Sequence, residues 1–152
     1  MKKILALTLL LTLLCCTVFC LPAGATSTTK VTVEKLDNGD YIETIITYYE
    51  TNDRAATRSG SKTNNYKNGD GETLWSITVN GTFTYNGTTS SCTSVSRSAS
   101  AYADNWSIKS SSCSRSGNCA SASAVATYKT LLISRDYTMT VDLYCSPYGI
   151  LS

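Results

Sequence analysis

The stretch Leu74–Gly87, LWSITVNGTFTYNG, constrains the fold of this chain more than any other part of its sequence. From Trp75 to Tyr85 every odd position except Gly81 is apolar, and every even position is Ser, Thr or Asn. Because side chains alternate between the two faces of a β-strand, this pattern predicts one buried face and one wet face. The missing side chain at Gly81 predicts a bulge or a close crossing where the long strand bends from one sheet to another.

The same two-residue period recurs elsewhere, and turns rich in Asn, Asp and Gly separate the periodic segments. It predicts a first hairpin over residues 30–50 with its turn at Asp37–Asp40, and a second hairpin over residues 106–130. It also predicts a last strand over Tyr137–Cys145 and a thin row of alanines at every second position of residues 120–126. Since no heptad and no long apolar period of 3.6 residues appears, the chain is predicted to be all-β.

Residues 51–72 contain no run of apolar residues, and they are predicted to form a polar loop or linker. The pattern there suggests two pieces of regular structure, a weak strand over Ser61–Lys67 and a turn over Asn68–Gly71.

The strand register of residues 88–103 stays open, because two turn lengths after Tyr85 give opposite results. A two-residue turn pairs Gly81 with Cys92 and places Val95 on the wet side. A three-residue loop places Val95 inward and Cys92 outward. The sequence does not decide between the two registers.

Residues 1–25 have the plan of a secretory signal peptide: basic residues in Met1–Lys3, an apolar stretch over Ile4–Leu21, and small residues before the cleavage site. Cleavage is predicted after Ala25, which makes the mature protein a secreted, extracellular single domain of residues 26–152. Its predicted parts are an N-terminal hairpin, the polar segment and a disulfide-containing β core, at residues 30–50, 51–72 and 73–146. An uncleaved anchor and a lipid-modified cysteine are the alternatives, and stable membrane insertion after signal cleavage is not expected.

Four of the seven cysteines belong to the mature chain, which in an exported protein predicts two disulfides with three possible pairings. Cys113 and Cys119 flank a tight turn, so a bond across one hairpin is predicted for them. Cys145 lies in an apolar row, where Cys92 could meet it between two sheets. The predicted fold is an antiparallel β-sandwich of seven or eight strands, disulfide-stapled and immunoglobulin-like in architecture, although the Cys-Trp-Cys spacing of antibody domains is absent.

Composition excludes several kinds of chemistry. The sequence has no His, which removes Ser-His-Asp and Cys-His hydrolases and the usual His-containing zinc sites. Paired cysteines would leave no thiolate, so no catalytic residue, metal ligand or cofactor is predicted. Lys2 and Lys3 leave with the signal peptide, so 11 basic and 11 acidic side chains remain and no nucleic-acid partner is expected.

A carboxylate-based glycoside hydrolase is the enzyme hypothesis that these exclusions leave, and an enzyme is not favoured. Four acids outside obvious turns are its candidates: Glu43, Glu50, Asp104 and Asp142. The sequence places no two of them within catalytic reach of each other.

Ten tyrosines and two tryptophans suggest binding, since rings with polar tips give a large contact area at low entropic cost. Trp75 is predicted to be core because of its place in the alternation. The predicted ligand-binding candidates are Tyr102, Trp106, Tyr48 and Tyr49. They favour a non-catalytic extracellular binding or surface-interaction module for an unknown glycan or protein. The alternative is a bacteriocin- or toxin-like effector, released by proteolysis at the basic site Arg54–Arg58.

Three features resemble small secreted β-rich proteins of gut-type Firmicutes bacteria: LWSITVNGTFTYNG, the small-residue strand around Cys92, and the terminal VDLYCS followed by Gly149–Ser152. The resemblance covers most of the mature chain and rests on strand and turn patterns. It implies a bacterial, secreted chain and transfers no catalytic residue.

Overall fold

The computed structural model describes residues 26–50 and 56–152. The predicted signal peptide at residues 1–25 lies outside the described residues, as do residues 51–55, which include Arg54 and Ala55 of the basic site. Within the described ranges the chain forms eight strands: β1 (Thr26–Lys35), β2 (Tyr41–Glu50), β3 (Thr57–Lys67), β4 (Thr73–Tyr85), β5 (Ser90–Ala101), β6 (Trp106–Ser116), β7 (Cys119–Lys129) and β8 (Ser134–Tyr144). No helix in these ranges is long and apolar enough to cross a membrane.

The strands form two antiparallel sheets that pack face to face. The larger sheet has the order β1-β2-β3-β4-β5, and the smaller has the order β6-β7-β8. The all-β prediction and the antiparallel pairing are therefore confirmed, and two sheets of five and three strands agree with the predicted sandwich. Each sheet is a simple meander, because every pair of neighbouring strands is also consecutive in the chain. Immunoglobulin domains instead use Greek-key connections between their two sheets.

The core forms where the inner faces of β4 and β7 meet. On β4 the largest buried side chains are at most 1% exposed, and they are Trp75, Ile77, Val79 and Phe83. On β7 the facing row is equally buried, and it consists of Ala120, Ala122, Ala124 and Ala126. The predicted alternation of β4, the core position of Trp75 and the thin alanine row are all confirmed. Short alanines let the sheets approach closely, so the larger side chains of β4 fill the space between them.

Gly81 lies at the most crowded point of this contact. A Cβ atom at Gly81 would lie 2.6 Å from Cε2 of Phe83 and 3.0 Å from Cβ of Ala120. The predicted close approach is confirmed, and a register shift follows between Thr82 and Phe83. The predicted bend from one sheet to another is wrong, since β4 stays in the larger sheet along its whole length.

Neither predicted register of β5 is found in the structure. Gly81 pairs with Val95, whereas Phe83 pairs with Cys92. The extra residue, Thr93, forms a bulge between these pairs, and a bulge resets the alternation of the strand. Both Cys92, which is 4% exposed, and Val95 therefore pack against the core.

Part of the predicted polar loop over residues 51–72 is the strand β3, which contains the weak strand predicted over Ser61–Lys67. It lies between β2 and β4 and is hydrogen-bonded to both. Cross-strand hydrogen bonds take the place of apolar burial along it: Thr63 Oγ1 lies 2.8 Å from Thr78 Oγ1. Such a strand is stabilised by its ladder and its polar pairs, so apolar content does not reveal it. The predicted turn over Asn68–Gly71 is confirmed by the bond from Gly71 N to Asn68 O.

The four cysteines of the described residues are all free thiols in the structure, so the two predicted disulfides are not formed. The predicted Cys113–Cys119 bond conflicts with the register. Cys113 pairs with Ala122 on β7, three positions from Cys119. Positions an odd number apart on a strand point to opposite faces, so these two thiols lie on opposite sides of the smaller sheet. Cys145 faces the core, as predicted.

Replacing Gly81 by Ala is expected to lower the free energy of unfolding by about 1–3 kcal/mol, because the new methyl overlaps the buried Phe83 ring. Chemical denaturation measures the difference. Gly69→Ala is the matched control, since the nearest atom to its Cβ is Gly39 O at 3.4 Å. Equal effects of the two substitutions would contradict the close approach at Gly81.

Candidate functional site

The two sheets differ in width, which leaves part of the larger sheet uncovered. The smaller sheet packs against β3, β4 and β5, while β1 and β2 extend past its edge strand β8. A groove forms between this edge and the uncovered inner face. We call it the β8 groove. Its floor includes Ile42, Ile46 and Lys62, and its wall on β8 includes Met139, Val141 and Tyr144.

The half of the β8 groove near the end of β8 is polar and has a volume of about 520 Å³. Two cations and one acid line it, namely Lys30, Lys62 and Asp142. Burial lowers the pKa of Lys62, and Asp142 opposes that shift. In this half, two lysine side chains therefore accompany one carboxylate side chain, and burial leaves the ammonium group of Lys62 partly desolvated.

The half of the β8 groove near the start of β8 is apolar and has a volume of about 400 Å³. Leu36, Ile42 and Met139 line it together with the rings of Tyr66 and Tyr137. Tyr66 is 6% exposed and Met139 is 6% exposed, so their packing in the core fixes the shape of this cavity. Such a concave apolar surface suits a bulky apolar side chain.

A hydrogen-bond network joins this cavity to the turn between β1 and β2. The hydroxyl of Tyr66 donates to Asp40 Oδ2 at 2.7 Å, and Asn38 Nδ2 donates to the same hydroxyl at 3.3 Å. Burial raises the pKa of Tyr66 to about 12, and the bond to Asp40 adds to this shift. Tyr66 therefore stays neutral and holds the turn in place beside the groove.

The edge of β8 presents backbone groups to the groove. Tyr144 exchanges two backbone hydrogen bonds of 3.0 Å with Ser152, so its N–H and C=O point away from β7. Because backbone groups alternate in direction along a strand, those of Thr138, Thr140 and Asp142 point the same way. Among the described residues, the hydrogen-bond partner of these outward backbone groups is the Asn64 side chain, whose Nδ2 donates to Thr140 O at 3.2 Å.

The predicted aromatic site at Tyr102 and Trp106 is not assembled. Tyr102 is 61% exposed, and its hydroxyl lies 3.1 Å from Ser76 Oγ. Trp106 is 9% exposed and packs in the core, with its ring centroid 5.0 Å from that of Tyr137 and 5.4 Å from that of Tyr128. Only Tyr102 is left for contact with a ligand.

The second predicted aromatic pair is only partly described. Tyr48 is half-buried on the inner face of β2, and the guanidinium of Arg58 lies 5.7 Å from its ring centroid. The side chain of Tyr49 lies outside the described residues. Arg58 belongs to β3 and pairs with Phe83 of β4, so proteolysis there would require this part of the ladder to open. Arg54 of the predicted basic site lies outside the described residues.

The acids and thiols do not form a catalytic arrangement in the described part of the chain. Glu43 lies on β2, where hydrogen bonds from Asn65 and Lys67 lower its pKa, whereas Asp142 lies on β8. Asp104 is exposed in the loop before β6, and the side chain of Glu50 lies outside the described residues. The described ranges hold no group of three or more Cys, Asp or Glu residues that could bind a metal.

Three of the thiols are poor nucleophiles for one shared reason. Burial raises the pKa of Cys92, Cys119 and Cys145 above the ordinary value of a thiol. The protonated form then predominates near neutral pH, and it is the thiolate that reacts.

Comparisons of this chain with protein families, curated proteins and solved structures gave no match. A functional assignment therefore rests on the geometry of the β8 groove.

The sequence did not identify the residues that form the groove. Lys62, Asn64 and Tyr66 lie in the segment predicted to be a polar loop, and Thr140 lies on the wet face of a correctly predicted strand. The available signal was the alternation of β8, which separates Thr138, Thr140 and Asp142 from the core row. Alternation does not tell which strand lies at the edge of a sheet.

Replacing Tyr66 by Phe is expected to reduce the decrease in the free energy of unfolding at high pH. The unfolded chain loses the Tyr66 proton near pH 10, while the folded protein loses it near pH 12. Between these values the unfolded state binds fewer protons, so the free energy of unfolding falls as pH rises, by about 2–3 kcal/mol from this group.

Urea denaturation of both proteins from pH 8 to pH 12 tests this difference. Tyr148→Phe removes an exposed hydroxyl and controls for the loss of one phenol. Parallel pH profiles for the wild type and Tyr66→Phe would show that Tyr66 does not carry the effect.

Proposed function

We propose that this protein is a secreted, non-catalytic binding module that holds an extended polypeptide segment of another protein in the β8 groove. The observation that carries the proposal is the open backbone edge of β8 beside the uncovered floor of β2. An extended segment that pairs with this edge adds a fourth strand to the smaller sheet. Main-chain hydrogen bonds then supply affinity, and the floor of the groove selects alternate side chains.

The width of the floor matches one added strand. Neighbouring strands lie about 4.8 Å apart, so a strand next to β8 lies over β2, the next strand outward from β3 in the larger sheet. The inner face of β2 carries Ile42 and Ile46, whereas the inner face of β1 carries Lys30, Thr32 and Glu34. One added strand over β2 would therefore make apolar contacts, whereas a second added strand over β1 would meet mainly polar side chains.

Charge and shape define the segment further. Lys30 and Lys62 outnumber Asp142 in the polar half, which favours a segment with an acidic side chain there. The apolar half beside Tyr66 and Met139 takes a bulky apolar side chain. Leu151 already forms an antiparallel bridge with Cys145 on the same edge, which supports an antiparallel direction for the added strand.

A polypeptide fits these features better than a glycan. Sugar recognition relies on exposed ring faces, and of the predicted pair Tyr102 and Trp106, Tyr102 is exposed while Trp106 is buried. A row of outward N–H and C=O groups instead matches the backbone of an extended chain.

A disulfide between Cys92 and Cys145 belongs to the same proposal, because export places the thiols in an oxidising compartment. Both side chains are buried. Cys92 N donates to Gly117 O at 2.7 Å, and Cys145 N donates to Asn118 O at 3.0 Å, so consecutive residues of the turn between β6 and β7 hold both cysteines. A bond between them would join β5 of the larger sheet to the end of β8.

Replacing Thr140 by Pro is expected to lower the affinity for a captured segment at least tenfold, because proline removes an outward N–H from the edge without breaking the ladder to β7. Thr140→Ala keeps the N–H and is expected to bind within about threefold of the wild type. A display library of random twelve-residue peptides, selected on the wild type and then compared on both variants by calorimetry, provides the measurement.

Peptides that bind the wild type and Thr140→Ala but not Thr140→Pro, at equal melting temperatures, support the proposal. Enriched peptides should carry an Asp or Glu and a bulky apolar residue. A glycan array run in parallel gives the competing outcome: binding to sugars without selection of any peptide would reject the proposal.

The exported protein is expected to contain the Cys92–Cys145 bond and to begin at Thr26. Peptide mapping by mass spectrometry without reduction detects the linked pair as one species, and reduction separates it. Recovery of both cysteines as free thiols from the culture medium would contradict this part of the proposal.

A further inference from the structure

The turn between β7 and β8 carries three consecutive apolar residues, which we call the apolar tip, Leu131–Ile133. Leu131 is 103% exposed, Leu132 is 94% exposed and Ile133 is 48% exposed. Thr130 N donates to Ile133 O at 2.8 Å, and Ile133 N donates to Thr130 Oγ1 at 3.2 Å. The turn is closed by its own hydrogen bonds, so the leucines are held outward and do not fold back onto the domain.

Turn geometry does not require these side chains. Three other turns of the described chain are built from Asp, Asn, Ser, Arg and Gly, and they lie at residues 37–40, 68–71 and 115–118. Adjacent exposed apolar residues are unfavourable in water and promote association, so a run of three at a protruding tip indicates contact with a non-aqueous phase.

The charge around the apolar tip is positive. Lys129 and Arg135 flank it on the two strands, both exposed, and neither takes part in a salt bridge within the described residues. Asp136 is already paired with Lys109. Asp104, in the adjoining loop before β6, is the one further acid nearby, so two cations face one carboxylate.

We propose that the apolar tip inserts reversibly into the surface of a lipid bilayer that contains anionic headgroups. The tip is convex, and lipid chains adapt to a convex apolar group, whereas a protein partner would need a matching pocket. Three side chains reach the boundary between headgroups and acyl chains, and they do not span the bilayer. Lys129 and Arg135 then lie at the level of the headgroups, where each cation attracts anionic lipid.

This lipid contact is independent of peptide binding. The tip lies just before the start of β8, and the β8 groove runs along the side of the same strand. A domain anchored by its tip would hold the groove upright above the membrane and open to the surroundings.

Sedimentation with vesicles tests the proposal on the folded mature protein. The wild type is expected to bind vesicles of phosphatidylglycerol and phosphatidylcholine at millimolar lipid. The double variant Leu131→Ser with Leu132→Ser should lower the partition coefficient at least tenfold, because both side chains lose their apolar burial. Lys129→Gln with Arg135→Gln should lower it about tenfold on anionic vesicles and leave weak binding to pure phosphatidylcholine unchanged.

The matched control is Tyr148→Ser with Ile150→Ser, which removes two exposed apolar side chains at the opposite end of β8. It should bind like the wild type. Retained binding by the leucine double variant at an unchanged melting temperature would overturn the proposal, as would absence of wild-type binding. An equal loss in the control variant would also overturn it, since the contact would then belong to the other end of the domain.

Discussion

The packing of the alanine row of β7 against β4 sets the distance between the sheets, and the rest of the structure depends on that distance. Each alanine contributes one methyl group, so opposite β7 the interior is filled mainly by the side chains of β4, while Val141 and Leu143 of β8 fill it beside them. Gly81 makes the arrangement possible, because the ring of Phe83 occupies the space above it. Near Trp106 the core is filled by rings instead, with the centroids of Tyr66, Trp75 and Tyr137 lying 5.0–6.3 Å from that of Trp106.

Five strands packed on three produce an asymmetric domain. Strand β5 lies close to β6, where Arg115 donates to the carbonyls of Cys92 and Thr93 at 3.0 and 2.7 Å, so that side of the sandwich is closed. The opposite side stays open, because β8 ends the smaller sheet above β3 while β1 and β2 continue. The groove is thus a direct result of unequal strand numbers in two meanders. The side chains that line the groove occupy positions that an equally wide second sheet would have buried.

Local periodicity predicted the strands that supply the core. It could not predict which strands pair or which side chains meet, because these depend on tertiary contacts. Trp75 and the alanine row were correctly placed because one face of each strand is dry. β3 was predicted only in part, as a weak strand over Ser61–Lys67, because its polar side chains pair across strands, as Asn65 does with Glu43. Trp106 was taken for a surface ring because its segment joins two strands, and only the packing with Tyr137 reveals it as core. The groove required knowing that β8 is an edge, which is a property of the whole fold.

The outermost strand β1 has a consequence for how the domain moves. Its residues are nearly all exposed, with Val31 and Val33 at 53% and 57%, and it packs against β2 alone. Segments with few buried contacts open first in local unfolding, so the hairpin of β1 and β2 forms the least protected unit of the domain. Since β2 is also the floor of the β8 groove, any guest that covers Ile42 and Ile46 stabilises this hairpin. A bound segment in the β8 groove would then slow amide exchange in β1, although the segment need not contact β1.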